Sequence, residues 1–242
     1  MKSLFTILLA TTLITGAYTC YSKPLSALGI SRNDKQNRNL SGFTGVEVIG
    51  SYDVFIKQGN TESVIVEADD DVIDRIITAV EGGTLKIYTK KTNFNFNWDN
   101  KKTAVYVTVK FINRISVIGS GDVSFAEGIT TNKLRLNLTG SGDVSGKVNV
   151  KTLESSLTGS GDMKLTGQAQ TSSVTVTGSG DFSGRDLVTI KSIVQVRGSG
   201  DAGVNVSEQL DASVAGSGDI RYTGAAKQIS SSKSGSGDIG RF

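Results

Sequence analysis

The sequence predicts an all-β chain, a single-domain parallel β-helix or solenoid of about 19–20-residue coils. Three observations carry this expectation. The tetrapeptide Gly-Ser-Gly-Asp begins at Gly119, Gly140, Gly159, Gly178, Gly198, Gly216 and Gly235, at intervals of 21, 19, 19, 20, 18 and 19 residues. Ahead of each motif, apolar and polar residues alternate with period two. Finally, 29 glycines stand against a single proline. Flexible linkers are commonly rich in both residues, so glycine at a fixed period points to backbone geometry instead.

The alternation defines one strand face per coil. Leu134, Leu136 and Leu138 share a face in the first repeat, followed by Leu153, Ser155 and Leu157, then Ser172, Val174 and Val176. Ser192, Val194 and Val196 continue the series, as do Leu210, Ala212 and Val214. The residues between them, such as Arg135, Asn137, Glu154 and Gln195, are polar. This pattern sends one face to a core and the other to water. A period near 19 is too short for a helix pair and fits one coil of two or three strands. Coils stacked at ~4.8 Å form a rod on the order of 30 Å long for seven repeats.

The motif has a physical rationale. A short coil turns sharply, and glycine reaches positive φ without steric cost. Aspartate accepts backbone N–H groups in Asx-type turns. Stacking also places Asp122, Asp143, Asp162, Asp181, Asp201, Asp219 and Asp238 in one column. Adjacent carboxylates ~4.8 Å apart repel by about 1 kcal/mol even in water. Backbone donors, solvent or cations must offset that repulsion. One reading makes the column a ladder of hard-cation sites. The other makes each Asp a cap of its turn, and it is preferred because a coil brings only one carboxylate. No metal or cofactor is therefore expected. The final repeat departs from the pattern: Ile229, Ser231 and Lys233 take the inward positions and serines fill the rest, as expected of a terminal cap.

Upstream of the repeats, residues 1–22 read as a signal peptide. Lys2 supplies the charge, Leu4–Ile14 the apolar stretch, and small residues around Ala17 a cleavage site. Cys20 would be the lipidated residue in a lipoprotein, but Ala17-Tyr18-Thr19 before it fits that signal poorly, and unlipidated export is preferred. Residues 23–40 read as a flexible tether, and 41–242 as the solenoid head, with N-terminal coils at 41–111 and the seven repeat coils at 112–242. Phe43–Val54 resembles an eighth coil whose turn is Gly50-Ser51-Tyr52-Asp53. One short capping helix is expected near residues 71–80, because Val72, Ile73, Ile76, Ile77 and Val80 fall on one helical face and Gly82-Gly83 follows. Between two further strands lies a polar loop whose Phe94, Phe96 and Trp98 are candidate contact residues for a glycan or a protein.

Composition excludes several chemistries. The sequence has no histidine, and its single cysteine, Cys20, falls in the export signal. Histidine acid–base catalysis, zinc–thiolate sites and internal disulfides are thereby removed. No basic stripe accompanies the formal charge of +3, so no nucleic-acid partner is expected. No transmembrane span is expected either.

The export signal, Val48-Ile49-Gly50-Ser51-Tyr52-Asp53-Val54, the Asp71–Val80 segment, Gly83-Thr84-Leu85-Lys86-Ile87 and the serial Gly-Ser-Gly-Asp turns together resemble a known bacterial family. That family is the "putative auto-transporter adhesin, head GIN domain" group, common in Bacteroidetes, and the resemblance covers about residues 41–240. It implies a β-helical protein that is secreted or held in the cell envelope, with an adhesive role, and it supplies no catalytic residues.

The function expected is thus a non-catalytic, exported, adhesin-like or envelope-interaction protein, located in the periplasm, on the outer membrane surface or outside the cell. Its partner would be a protein or glycan at the cell surface, and self-association to a homo-oligomer would use the aromatic loop or an exposed strand edge. A structural or signalling-associated periplasmic component is the alternative that the sequence cannot separate from it. A polysaccharide-active enzyme would need paired carboxylates, or a basic residue with calcium, on one face, as a cluster that breaks the repeat symmetry. Arg197 and Arg185-Asp186 are the best candidates for such a cluster, but they are isolated changes that fit solvated surface better than chemistry.

Overall fold

A computed structural model of the chain describes residues 33–70, 72–90 and 103–242. Their element order is β1 (Asn33–Arg38), β2 (Gly45–Gly50), β3 (Asp53–Gln58), β4 (Ser63–Asp69), a 3-10 turn at Ile73–Arg75, β5 (Ile76–Glu81), β6 (Thr84–Thr89), β7 (Thr103–Val109) and β8 (Arg114–Gly119). Five coil-length strands follow: β9 (Val123–Gly140), β10 (Val144–Gly159), β11 (Met163–Gly178), β12 (Phe182–Gly198) and β13 (Ala202–Gly216). The last coil comprises β14 (Ile220–Thr223), β15 (Gln228–Gly235) and β16 (Ile239–Arg241).

The repeats form the expected solenoid. Each coil pairs in parallel with the next, and Gly140, Gly159, Gly178, Gly198, Gly216 and Gly235 lie in register. The alternation read from the sequence is the burial pattern: Leu134, Leu136, Leu138, Leu153, Leu157, Val174 and Val176 are at most 1% exposed. Each such side chain contributes about 1.5–3 kcal/mol by leaving water. The polar inward positions are buried too. Ser172 and Ser192 satisfy one another through a 2.6 Å hydroxyl hydrogen bond. Ser155, between Leu136 and Val174, has no such partner among the described residues.

Within a coil the alternation changes phase once between its two long runs. In β10 the buried positions are Val144, Val148 and Val150, then Leu153, Ser155 and Leu157. Lys151 and Thr152 sit at the change and mark a second corner, remote in sequence from the Gly-Ser-Gly-Asp corner. The Arg185-Asp186 irregularity is a bulge: the register of β12 shifts here against both neighbours.

The N-terminal part departs from simple stacking. β2 and β3 form a coil with Gly50-Ser51-Tyr52-Asp53 at its corner, and Gly50 lies in register with Gly119. The chain then passes outward, so that β6 and β7 stack on the far side of β2 and β3. It returns through β8 on the inner side. Spatial order therefore differs from chain order at this end.

The helix expected at residues 71–80 is not formed. Ile73–Arg75 makes a single 3-10 turn and Ile76–Glu81 is a strand, antiparallel to β6. The β-branched run Ile76-Ile77-Thr78 loses side-chain freedom in a helix and suits a strand. Gly82 and Gly83, read as a helix stop, have φ of +55° and +73°. They are the two central residues of a tight hairpin turn that joins β5 to β6.

The tether reading also needs amendment at its end. Asn33–Arg38 pairs antiparallel with β4, while residues 23–32 lie outside the described residues, as do residues 1–22, which the sequence reads as a signal. This polar strand lies at an edge, where charges such as Lys35 and Arg38 discourage further pairing. The Arg38 guanidinium donates to the Ile73 carbonyl at 3.1 Å.

At the opposite end, all eight residues of β15 are exposed, as the polar pattern around Ser231 and Lys233 requires.

Two stability outcomes follow from this packing. A Cβ on Gly161 would lie 1.9 Å from the Gly142 carbonyl oxygen, whereas one on Gly82 would meet nothing within 4 Å. Gly161→Ala should cost more than about 3 kcal/mol in chemical denaturation, while Gly82→Ala should cost only the left-handed backbone penalty of about 1–2 kcal/mol. Replacing Ser231 and Lys233 together by Val makes the inward positions of β15 apolar. The double variant should associate end to end, read as a concentration-dependent rise in mass by light scattering, while the parent chain shows no such rise through this end.

Candidate functional site

The Gly-Ser-Gly-Asp corner is built by four consecutive backbone N–H groups that all leave their own coil. In the coil that begins at Gly159, Ser160 and Gly161 donate to the Gly140 carbonyl at 2.9 and 3.2 Å. Asp162 N–H donates to Asp143 Oδ1 at 2.9 Å, and Met163 N–H to the Asp181 carbonyl at 2.9 Å. The carboxylate bond recurs at every step from Asp122 to Asp238, at 2.7–2.9 Å. Each Asp thus holds the next coil, rather than capping its own turn.

The seven aspartates expected in a column do form one, and a hollow of about 610 Å³ runs along it. Asp53, Asp122, Asp143, Asp162 and Asp181 line it, together with Ser124, Ser145, Ser183 and Lys164. No group of three carboxylate, cysteine or histidine side chains fit to hold a metal ion occurs among the described residues. The column's C-terminal end is neutralised by cations. Arg221 reaches Asp219 at 2.8 Å and Asp238 at 3.7 Å, and Lys233 reaches Asp238 at 3.5 Å. The N–H of Asp238, and then Arg221, hold the Asp219 carboxyl below the usual carboxylate range.

The first turn shows why one glycine could become a tyrosine. Tyr52 takes the second-glycine place, and its outer neighbour is Thr89 at the end of β6 rather than another glycine turn. Its ring is buried, its hydroxyl pairs with Thr89 Oγ1, and burial pushes the phenol above the usual tyrosine range.

Phe94, Phe96 and Trp98, the aromatic candidates, lie outside the described residues. The structure exposes other aromatics. Phe55 and Tyr106 stack with ring centroids 5.3 Å apart and are 44% and 40% exposed, and the Lys35 ammonium lies 5.8 Å from the Tyr106 centroid. Period two could have found both, since Val54 and Ile56 point inward around Phe55, and Val105 and Val107 around Tyr106. Phe111, 73% exposed, sits in the connection before β8, where no periodic signal exists.

The second corner carries its own hollow, about 660 Å³. Thr130, Asn149, Gln168 and Val188 form one outward column across successive coils, and Asn132, Lys151, Gln170 and Ile190 line the same hollow. Gln168 Nε2 donates to Asn149 Oδ1 at 3.0 Å. Gln58 closes one end by donating to the Lys110 and Thr130 carbonyls and accepting Thr130 N–H at 2.9 Å. Phe111 lines this hollow and an adjoining one of about 460 Å³ that reaches Asn60.

The arginines that break the repeat are engaged structurally. Arg185 lies over the Phe242 ring at 4.1 Å, and Arg197 donates to Gln195 at 3.0 Å.

The family described as "Putative auto-transporter adhesin, head GIN domain" matches residues 42–226. The chain belongs to this family. Solved structures share the adhesin-family fold along nearly the whole head. A "putative adhesin" from Bacteroides fragilis is 25% identical, covers 87% of this chain and 97% of its own, and superposes with a TM-score of 0.81. A "putative lipid binding protein" from Parabacteroides distasonis is 26% identical over 87% of this chain and 96% of its own, with a TM-score of 0.71. A "putative adhesin" from the same organism, at 22% identity and a TM-score of 0.71, shares the fold over 88% of this chain and 98% of its own. No curated protein matches the chain.

Acid should weaken this adhesin-family head through its depressed carboxylates. Asp219 is lowered as above, and Glu154 is lowered by Lys133 and then Arg135, at 2.5 and 2.7 Å. A carboxylate whose folded pKa lies below its unfolded one adds stability at neutral pH and loses it as pH falls through the folded value. Melting temperature should therefore drop below about pH 4. Arg221→Gln should lower it at neutral pH and leave the strongly acid value nearly unchanged, as followed by circular dichroism.

Proposed function

We propose that this chain is an exported, non-catalytic adhesin-like module that contacts a protein or glycan at the cell surface through the flanks of its coils. The observation that carries this reading is the division of labour along each coil. Turn residues repeat, and inward positions stay buried, because stacking demands both, whereas outward positions in register are free to differ from coil to coil: Thr130, Asn149, Gln168, Val188, Asn205 and Thr223 occupy equivalent places. A rigid stack with a varied flank presents many weak contacts at fixed spacing, which suits adhesion. Family membership and the apolar segment after Lys2 support the same reading, the latter as a signal removed on export to the envelope. No helix among the described residues is long and apolar enough to cross a membrane.

Production of the full chain in an exporting bacterium tests this. The purified protein should have lost residues up to the Ala17–Ser22 region by mass spectrometry, should confer adhesion to bacterial or host cell surfaces on coated beads, and should release no reducing ends from polysaccharides. Retention of the intact N-terminus in the cytoplasm would overturn export, and product release would overturn the non-catalytic reading.

A further inference from the structure

We infer that the second-corner hollow is a binding groove for a neutral, extended, β-linked polysaccharide, with Phe111 as its stacking platform. This rests on the adhesin reading and names the ligand class.

Chemistry favours a sugar chain. A primary amide carries both a carbonyl acceptor and an NH₂ donor, which matches hydroxyl groups that both donate and accept. Asn149 and Gln168 are exposed and fixed relative to one another by the 3.0 Å bond between them. That bond uses one donor and one acceptor, so the remaining amide atoms stay available in a set geometry, which lowers the ordering cost of binding. Gln58 spends its amide on backbone at the end of the groove and acts as a wall rather than a ligand.

The apolar component is positioned accordingly. Phe111 is 73% exposed and borders two adjoining hollows, so a sugar lying along the groove passes over its ring. The C–H face of a pyranose stacks on an aromatic ring as other apolar surfaces do. Val188 and Ile190, 51% and 41% exposed, form a ledge at the other end.

Charge and spacing narrow the class. The groove lining contains no carboxylate and one ammonium, Lys151, in contrast to the acidic hollow at the turn corner. A neutral ligand has no reason to prefer the acidic hollow and meets no desolvation of paired charge here. The groove crosses coils, so its polar groups repeat at the interstrand distance of ~4.8 Å. The rise per residue of an extended β-linked pyranose chain is close to that distance, which sets one sugar against each coil. An extended peptide lying across the strands would find its backbone groups unpaired, because strand addition needs a free edge parallel to it.

Affinity electrophoresis through gels containing soluble neutral β-glucan, arabinoxylan or galactomannan, with hyaluronan as the anionic comparison, tests the inference. The purified chain should be retarded in at least one neutral β-linked polysaccharide and not in hyaluronan. Phe111→Ala and the double variant Asn149→Ala/Gln168→Ala should each reduce the retardation at least tenfold with melting temperature unchanged, while Asp143→Asn, at the other corner, should not. Absence of retardation in all three neutral gels, or retardation that survives the groove variants, overturns the inference. Bead adhesion to cells treated with periodate or with protease separates the two levels. Loss after periodate alone supports the glycan. Loss after protease alone leaves the adhesin reading standing without it, and no adhesion to untreated cells removes the adhesin reading itself.

Discussion

The whole structure depends on the approach of one Gly-Ser-Gly-Asp turn to the next. Every N–H from Ser160 to Met163 is spent on a neighbouring coil, and those bonds form only if two Cα atoms can lie almost against the carbonyls below. At Gly159 a Cβ would sit 2.2 Å from the Gly140 oxygen, and at Gly161 1.9 Å from that of Gly142. Nothing but glycine fits either place. The aspartate completes the turn because its side-chain oxygen accepts the one N–H for which the adjacent backbone offers no carbonyl. The column's mutual repulsion is thereby offset by six backbone donors, with Arg221 and Lys233 added at the C-terminal end.

Fixing the turns at constant spacing fixes the volume available inside each layer, and the core is adjusted to it. From Asp122 to Asp219, the place just after each Asp holds Val123, Val144, Met163, Phe182, Ala202 and Ile220, and the place two residues on holds Phe125, Gly146, Leu165, Gly184, Val204 and Tyr222. Large and small residues compensate. The Phe125 ring fills the space in which a Gly146 side chain would stand, since a Cβ there would be 2.0 Å from the ring. Phe182 likewise restricts Gly184, at 2.7 Å. Side chains in a close-packed interior share a limited volume, so a ring in one place requires a vacancy beside it. The repeat is therefore regular in its corners and irregular in its filling.

How much of this could be read beforehand depends on whether the information was periodic. The coils, their register and their inward residues follow from two periods, 2 and about 19, and both are plain in the sequence. The segment from Val72 to Val80 misled because its apolar residues satisfy a helical face as well as a buried strand. β-Branched Ile76, Ile77 and Thr78, followed by a Gly-Gly turn with positive φ, decided for the hairpin. Asn33–Arg38 escaped notice because an edge strand gains its pairing from β4 and needs no apolar pattern of its own. The outward passage of the chain to β6 and β7 is a matter of tertiary topology, which no local signal encodes. At the candidate site, the Asp column was legible and the direction of its hydrogen bonds was not. Phe55 and Tyr106 lay within reach of the alternation rule, and Phe111, in a connection, did not.

The two corners also differ in what a substitution does to the stack. At the turn corner, side chain and backbone are bound into the stack, so a substitution there is felt by two coils at once. At the second corner, the side chains of Asn149, Gln168 and Gln170 lie outside both the core and the ladder. Their replacement alters what the groove presents and little else, since exposed positions away from packing or capping usually change stability by no more than about 0.5 kcal/mol. A substitution on the flank therefore leaves the stack intact, while one at the turns disrupts it. The Bacteroides fragilis relative keeps this fold at 25% identity and a TM-score of 0.81, so the stack tolerates replacement of most of its side chains.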